Sequence, residues 1–215
     1  MTVRVALVDS GVNAEHPHVR GHIVTSGPSV DFEGELVLGT NTGDVLGHGT
    51  AAAAAILEHA PEIELYSIRV FEASAACPFT SILRALEHAI DAGCQFVNLS
   101  LGTTDDQWSD QVEELIAKAQ VSGTQLIAPA AFRGLPSYPG CMRGVLGVLM
   151  DATLPREAPE ERLNGDRNYW YASPYPRDLP NLPRSANLAG ISMACANLTG
   201  ILAGRQGAAT RKPSE

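Results

Sequence analysis

Short apolar runs alternate with helix-spaced apolar patterns through roughly the first 150 positions of this 215-residue chain, and no other feature constrains its fold so tightly. Neighbouring antiparallel strands can be joined by a tight turn, whereas parallel strands need a crossover, for which a helix is the usual device. The alternation therefore predicts an α/β fold: a three-layer sandwich with a central, mostly parallel sheet and helices on both faces. Val3 to Val8 reads as a buried strand that stops at Asp9-Ser10-Gly11, where the chain must turn. After a polar, glycine-rich stretch over 34–47, the nearly all-alanine segment His48 to His59 has high helix propensity. Leu65 to Phe71 is the next strand. A helix follows with Ile82, Leu83, Leu86, Ala89 and Ile90 on one face, Thr80 or Ser81 as cap and Gly93 as stop. Phe96 to Leu101 reads as a strand and Val112, Leu115, Ile116 and Ala119 as a helix face. Strands over Gln125 to Ala128 and Val145 to Met150 complete the series.

Between Asp151 and Arg184 the rhythm breaks into charges, prolines and the aromatics Tyr169, Trp170, Tyr171 and Tyr175, which reads as a long surface excursion. A last helix is expected over Ser192 to Leu202. The length suits one domain, residues 1–204, with a frayed tail over 205–215.

Composition excludes several function classes. No apolar stretch approaches the roughly 18 residues of a membrane span. Fifteen basic against 24 acidic residues leave a net charge of −9, the wrong sign for following phosphate backbones or anionic lipid, so neither nucleic acid nor membrane is an expected partner. Cys77, Cys94, Cys141 and Cys195 are scattered without CxxC spacing and read as free thiols, not as a zinc site or disulfide framework. The first residues lack the basic and apolar segments of a secretory signal, so a cytoplasmic location is expected.

Three reactive side chains fall at the ends of expected elements. Asp9 closes the first strand, His48 opens the alanine-rich helix within Gly47-His48-Gly49-Thr50, and Ser192 opens the last helix within Gly190-Ile191-Ser192-Met193-Ala194. Strand carboxyl ends and helix amino ends are where α/β folds assemble sites. A serine hydroxyl is a weak nucleophile until an imidazole takes its proton and a carboxylate orients that imidazole, so the set is chemically complete for acyl transfer.

These residues resemble the subtilisin-like serine peptidases. Leu7-Val8-Asp9-Ser10-Gly11-Val12 looks like the segment around that family's catalytic aspartate, Gly47-His48-Gly49-Thr50 like that around its histidine and Ser192-Met193-Ala194 like that around its serine. The chain order Asp, His, Ser is that of subtilisin and differs from the chymotrypsin and α/β-hydrolase orders. Leu65 to Val70, Val97-Asn98-Leu99-Ser100-Leu101-Gly102 and Tyr138-Pro139-Gly140 extend the resemblance, which takes in about residues 1 to 150 and 184 to 204. It implies Ser192 as nucleophile, His48 as general base and then acid, and Asp9 as the group that holds the imidazole. It also implies a peptide cleft lined by Ser100-Leu101-Gly102 on one side and Glu72-Ala73-Ser74 on the other, each pairing with an extended substrate. No cofactor or metal is implied.

The sequence also departs from the family. The family's oxyanion asparagine sits in a segment like Ala-Ala-Gly-Asn-x-Gly, and alignment of Ala128-Pro129-Ala130-Ala131-Phe132-Arg133-Gly134 on its last glycine puts Phe132 at that asparagine. A phenyl ring donates no hydrogen bond. In subtilisin itself, loss of that donor costs about 100- to 1000-fold in rate. Ile191 replaces the usual threonine before the nucleophile, and Cys195-Ala196-Asn197 replaces Ser-Pro-His after it. The resemblance therefore implies a selective intracellular processing or maturation endopeptidase with a weakened oxyanion hole. The alternative is an impaired pseudo-peptidase that binds peptides or serves as a scaffold. Arg156, Arg162, Arg167, Arg177 and Arg184 in the excursion are candidates for contact with a peptide or protein partner, with a simple covering loop as the alternative. The acidic loop Gly34 to Asp44 lacks the alternating carboxylates of a calcium loop and is expected to be solvated. Cys195 is expected to be a packing residue.

Overall fold

The computed structural model describes residues 2–31, 33–38, 43–72 and 74–211, with the backbone alone at Ser185 and Arg211. Its strands are β1 (Arg4–Asp9), β2 (Ile23–Val30), β3 (Leu36–Val37), β4 (Glu64–Arg69), β5 (Phe96–Leu99), β6 (Gln125–Pro129), β7 (Ala131–Phe132), β8 (Leu135–Pro136), β9 (Leu146–Met150), β10 (Glu160–Asn164) and β11 (Arg167–Ala172). Its helices are α1 (His48–His59), α2 (Phe79–Asp91), α3 (Ser109–Ser122) and α4 (Ile191–Arg211). The main sheet has the order β10-β11-β9-β6-β5-β1-β4-β2-β3, and β7 and β8 form a separate hairpin. From β2 to β11 every pairing is parallel, and β3 and β10 add one antiparallel strand at each edge. The expected three-layer α/β architecture is therefore present.

Strand β1 lies at the centre, with Val5 paired to Leu65 on one side and Phe96 on the other. The early strands fill the sheet on the β4 side, and the chain then crosses over β1 to β5 and fills the other side. Such a reversal opens a crevice at the strands' carboxyl ends, beside the end of β1. Alternate β1 residues serve different faces. Val5 and Leu7 join the core under α1 and α4, while Ala6 and Val8 join the core under α2 and α3. The alanines of α1 let α4 approach closely: a Cβ at Gly200 would stand 2.6 Å from the Ile56 carbonyl, and one at Gly204 2.6 Å from the His59 carbonyl.

Two expectations are corrected. The last helix does not stop at Leu202, and the segment read as a frayed tail continues it to Arg211, with Ala203 fully buried and Gly204 packed on α1. The excursion is partly regular: β10 and β11 pair around Gly165-Asp166 and extend the sheet by parallel pairing of β11 with β9. Its arginines are bonded within the chain. Arg162 meets Asp151 at 2.7 Å and lies over the Tyr171 ring, and Arg167 donates to the Cys141 and Val145 carbonyls. Arg184 grips Asp178 through two nitrogens at 2.8 Å, Arg156 is buried against Glu58, and Arg177 lies 3.7 Å from the same Glu58. The cysteines are free. Cys195 is fully buried in the core, where burial pushes its thiol well above the ordinary value.

Candidate active site

Strand β1 delivers Asp9 fully buried at its carboxyl end. One carboxylate oxygen accepts the Ser10 N–H at 2.7 Å, and the two oxygens stand 2.8 and 2.9 Å from His48 Nδ1. With Nδ1 carrying the shared proton, the neutral ring keeps its lone pair on Nε2, as a general base requires. His48 is the first residue of α1, and its side chain is 28% exposed. Burial alone would push the imidazole down. The hydrogen bond and charge of Asp9, with the charge of Asp44 beyond, outweigh it and hold His48 above the ordinary histidine value.

Two local devices fix this pair. Gly49, next to the histidine, lies against the β1 exit so closely that a Cβ there would stand 2.1 Å from the Gly11 carbonyl oxygen. Asp44 is the other. The sequence places it in a solvated acidic loop, but it is half-buried and accepts five hydrogen bonds, from Ser10 Oγ, the Leu46, Gly47 and Thr50 N–H groups and Thr50 Oγ1. It thus caps the amino end of α1, where a carboxylate also meets the positive end of the helix dipole. Burial raises its affinity for a proton, and these donors overcome that and hold its carboxyl below the ordinary value. Ser10 Oγ in turn accepts the Gly49 N–H at 3.0 Å, tying cap, helix and β1 together. Sequence reasoning missed Asp44. The available signal was an aspartate just ahead of a helix start, followed by Gly47, whose φ of 80° only glycine adopts readily.

Ser192 lies in the first turn of α4, half-exposed, where main-chain N–H groups lack intrahelical acceptors. Its hydroxyl donates to the Ser100 carbonyl at 2.9 Å, and no hydrogen bond joins it to His48. The structure thus unites Asp9 with His48, and Ser192 with the Ser100 segment. That segment is anchored further: Asn98 Nδ2 donates to Ser100 Oγ at 3.1 Å, and Thr199 of α4 donates to Asn98 Oδ1 at 2.9 Å. Gly102 packs on the Tyr138 carbonyl, and Thr103 and Tyr138 exchange main-chain hydrogen bonds. Leu101 is half-exposed and Gly102 exposed. Across the site, Glu72 and Ser74 are exposed and border a cavity of about 190 Å³ together with Val30, Val70 and Cys77, while Ala73 lies outside the described residues.

Phe132 is 52% exposed and sits on the β7–β8 hairpin, paired with Leu135 across Arg133-Gly134. Both turn residues have positive φ, 50° and 81°, the geometry of a tight two-residue hairpin. The Arg133 guanidinium lies 5.1 Å from the Phe132 ring centre. No cluster of metal-ligating side chains occurs among the described residues, and no described helix is long and apolar enough to cross a membrane.

A strand-end aspartate holding a helix-start histidine, with a serine opening a second helix, presents on a parallel-sheet fold the residue types of an Asp-His-Ser site. Comparison with known proteins places it further. The model of the subtilase family of peptidases matches residues 1–131, which include Asp9 and His48 and end before Ser192. The chain belongs to that family. Among curated relatives, thermitase of Thermoactinomyces vulgaris is 25% identical over 215 residues, covering 92% of this chain and 72% of thermitase. An intracellular serine protease of Paenibacillus polymyxa is 27% identical over 220 residues, covering 94% of this chain and 65% of the relative. Subtilisin DY of Bacillus licheniformis matches over 48% of its own length, so the chain spans only part of each of these relatives. Among solved structures, the prenylagaramide maturation protease PagA superposes with a TM-score of 0.73 at 21% identity, over 99% of this chain and 78% of PagA. At that identity the likeness is one of fold.

Proposed function

We propose that the chain is a serine endopeptidase that opens peptide bonds through an acyl-enzyme on Ser192. The observation that carries this reading is the buried Asp9 held against His48 Nδ1 at 2.8 Å, at the mouth of the crevice that Ser192 also borders. In the proposed cycle His48 Nε2 takes the Ser192 proton as Oγ attacks the substrate carbonyl, and Asp9 stabilises the imidazolium that forms. The imidazolium then protonates the leaving amine, and water repeats the sequence to release the acyl half. The Ser192 hydroxyl must first leave the Ser100 carbonyl, and a rotation about its χ1 is the movement this requires. Extended substrate lies between Ser100-Leu101-Gly102 and Glu72-Ala73-Ser74 in this reading. The substrate is a specific peptide processed in the cytoplasm, a reading supported by the intracellular relative, and an oxyanion hole weakened by Phe132 is part of the same proposal.

A second reading has its own support. The Ser192 hydroxyl is bonded to a main-chain carbonyl and not to the imidazole, and Phe132 supplies no oxyanion donor, as expected of a pseudo-peptidase that binds peptides without cutting them. A fluorophosphonate probe separates the two. Covalent labelling of wild-type chain at Ser192, abolished by Ser192→Ala, is the expected result, and absence of labelling under conditions that label thermitase would defeat the peptidase reading. Phe132→Asn is expected to raise turnover, and an unchanged rate in a folded variant would remove the oxyanion argument.

A further inference from the structure

A pocket of about 260 Å³ opens beside His48, on the side away from the two cleft loops. Its walls are the first turns of α1 from Gly47, the loop 13–18 that follows β1, and the segment 176–188 that leads into α4. The placement follows from the layers. The loops after β4 and β5, which hold substrate in the proposed peptidase, lead to α2 and α3 on one face of the sheet. Helices α1 and α4, whose first turns carry His48 and Ser192, cover the other face. In the proposed peptidase, a peptide extended from those loops across Ser192 would direct its far half toward this pocket.

The polar lining is rich in hydrogen-bond donors, and several of its acceptors are already engaged. Both Asp44 oxygens are filled by five donors, and the Arg177 carbonyl takes Asn187 Nδ2 at 3.3 Å. Among the described residues, by contrast, Arg177 Nη2 and Asn13 Nδ2 have no acceptor. His16 accepts the His18 N–H on Nδ1 at 3.2 Å, so its ring proton sits on Nε2, which also has no acceptor. Arg177 itself shares Glu58 with the buried Arg156, and Glu58 lies behind the pocket and outside its lining. Two guanidinium groups share that one carboxylate, and ionised Asp44 in the lining balances the second charge, so the pocket's preference rests on its free donors and not on a net positive field. Ala51, Ala54 and Leu188 supply an apolar wall for a short aliphatic stem.

We infer that Arg177 is a specificity-determining residue that, with His16 and Asn13, receives a carboxylate from the far half of the substrate. The carboxylate comes from an acidic side chain or from the peptide's own carboxy terminus, and the same donors fit either. This rests on the peptidase reading for the path of the peptide but not for the pocket's chemistry.

The test measures binding without turnover. Fluorescein-labelled peptides with Glu exchanged for Gln at each position in turn, and with acid or amide termini, are titrated against the full chain carrying Ser192→Ala. The expected result is about tenfold tighter binding of Glu than Gln at one position, or of acid over amide, as one charge-assisted hydrogen bond supplies. Adding Arg177→Gln brings that ratio close to one, and adding His16→Phe lowers it. A preference confined to acid over amide identifies the terminal carboxylate as the source. Equal binding throughout, or a preference that survives in folded Arg177→Gln and His16→Phe proteins, overturns the inference. Because no bond is cut, failure of the wild-type chain to hydrolyse peptides would defeat the proposed activity and leave this test standing.

Discussion

Gly49→Ala tests the link between packing and chemistry most directly. Gly49 has ordinary helical backbone, so alanine brings no conformational strain and in a free helix would add about 1 kcal/mol of helix propensity. The obstacle is space. The new methyl would stand 2.1 Å from the Gly11 carbonyl oxygen and 3.3 Å from Asp9 Cβ, both on the rigid exit of β1. Carbon and oxygen in contact need roughly 3.3 Å, so the first turn of α1 must lift by about 1 Å. His48 rides on that turn, and its 2.8 Å contact with Asp9 then stretches to about 3.8 Å, beyond hydrogen-bond range. Overpacking of this size costs roughly 1–3 kcal/mol, partly offset by the propensity gain. A displacement near 1 Å in a catalytic group costs about 100-fold in rate. The expected variant is therefore folded, modestly less stable in guanidinium unfolding, and about 100-fold slower in kcat and in fluorophosphonate labelling, with KM little altered. A kcat within about threefold of wild type would show that α1 can yield without moving His48, and would refute the reasoning.

Asp44→Asn keeps one acceptor oxygen but puts an amide where Thr50 donates, and should cost about 1–3 kcal/mol by denaturant unfolding. Because Asp44 holds its carboxyl below the ordinary value, its stabilisation is present above the unfolded-state carboxylate pKa and fades as pH falls through the lowered one. The variant's stability should accordingly vary less in that acid window, which unfolding curves at several pH values would show. The proposed base is neutral His48, so kcat/KM should rise with pH through its raised pKa, and Asp44→Asn, which removes a charge favouring imidazolium, should move this limb to lower pH. Gly204→Val should destabilise by roughly 1–3 kcal/mol, since a Cβ there meets the His59 carbonyl at 2.6 Å, whereas a frayed tail would tolerate it in a thermal melt.

The legible parts of the fold were those where burial is two-sided. β1, β4, β5 and β6 carry near-continuous apolar runs because helices cover both faces, and their starts and ends fall within a few residues of the sequence expectation. β2 was not legible because Gly27-Pro28 interrupts it. The register shifts between Ser26 and Ser29, and a Cβ at Gly27 would lie 2.7 Å from the Ser67 carbonyl. The β10–β11 hairpin hid behind its charges, although Asn164-Gly165 is a turn signal. The last turns of α4 were missed because only Gly204 among them packs closely on α1, while Gly207 and the exposed Ala208 and Ala209 leave no apolar periodicity. In the candidate site, the placing of Asp9, His48 and Ser192 at element ends was legible. The Ser100 carbonyl as acceptor for Ser192 was not, since a main-chain contact leaves no side-chain signature.

The hairpins at the two margins of the sheet have a consequence for how the molecule meets other chains. An uncovered edge strand is a template for adding further strands, and long flat edges invite open-ended self-association. Here one margin ends in the two-residue β3, and the other in β10, whose Glu160, Glu161 and Arg162 set charges along the outermost strand. Both margins are thus poor templates. In the proposed peptidase, strand-like capture of a foreign peptide is left to the interior of the fold, to the loops that follow β4 and β5 on either side of β1. A protein that must hold extended polypeptide without being extended by it gains from that division.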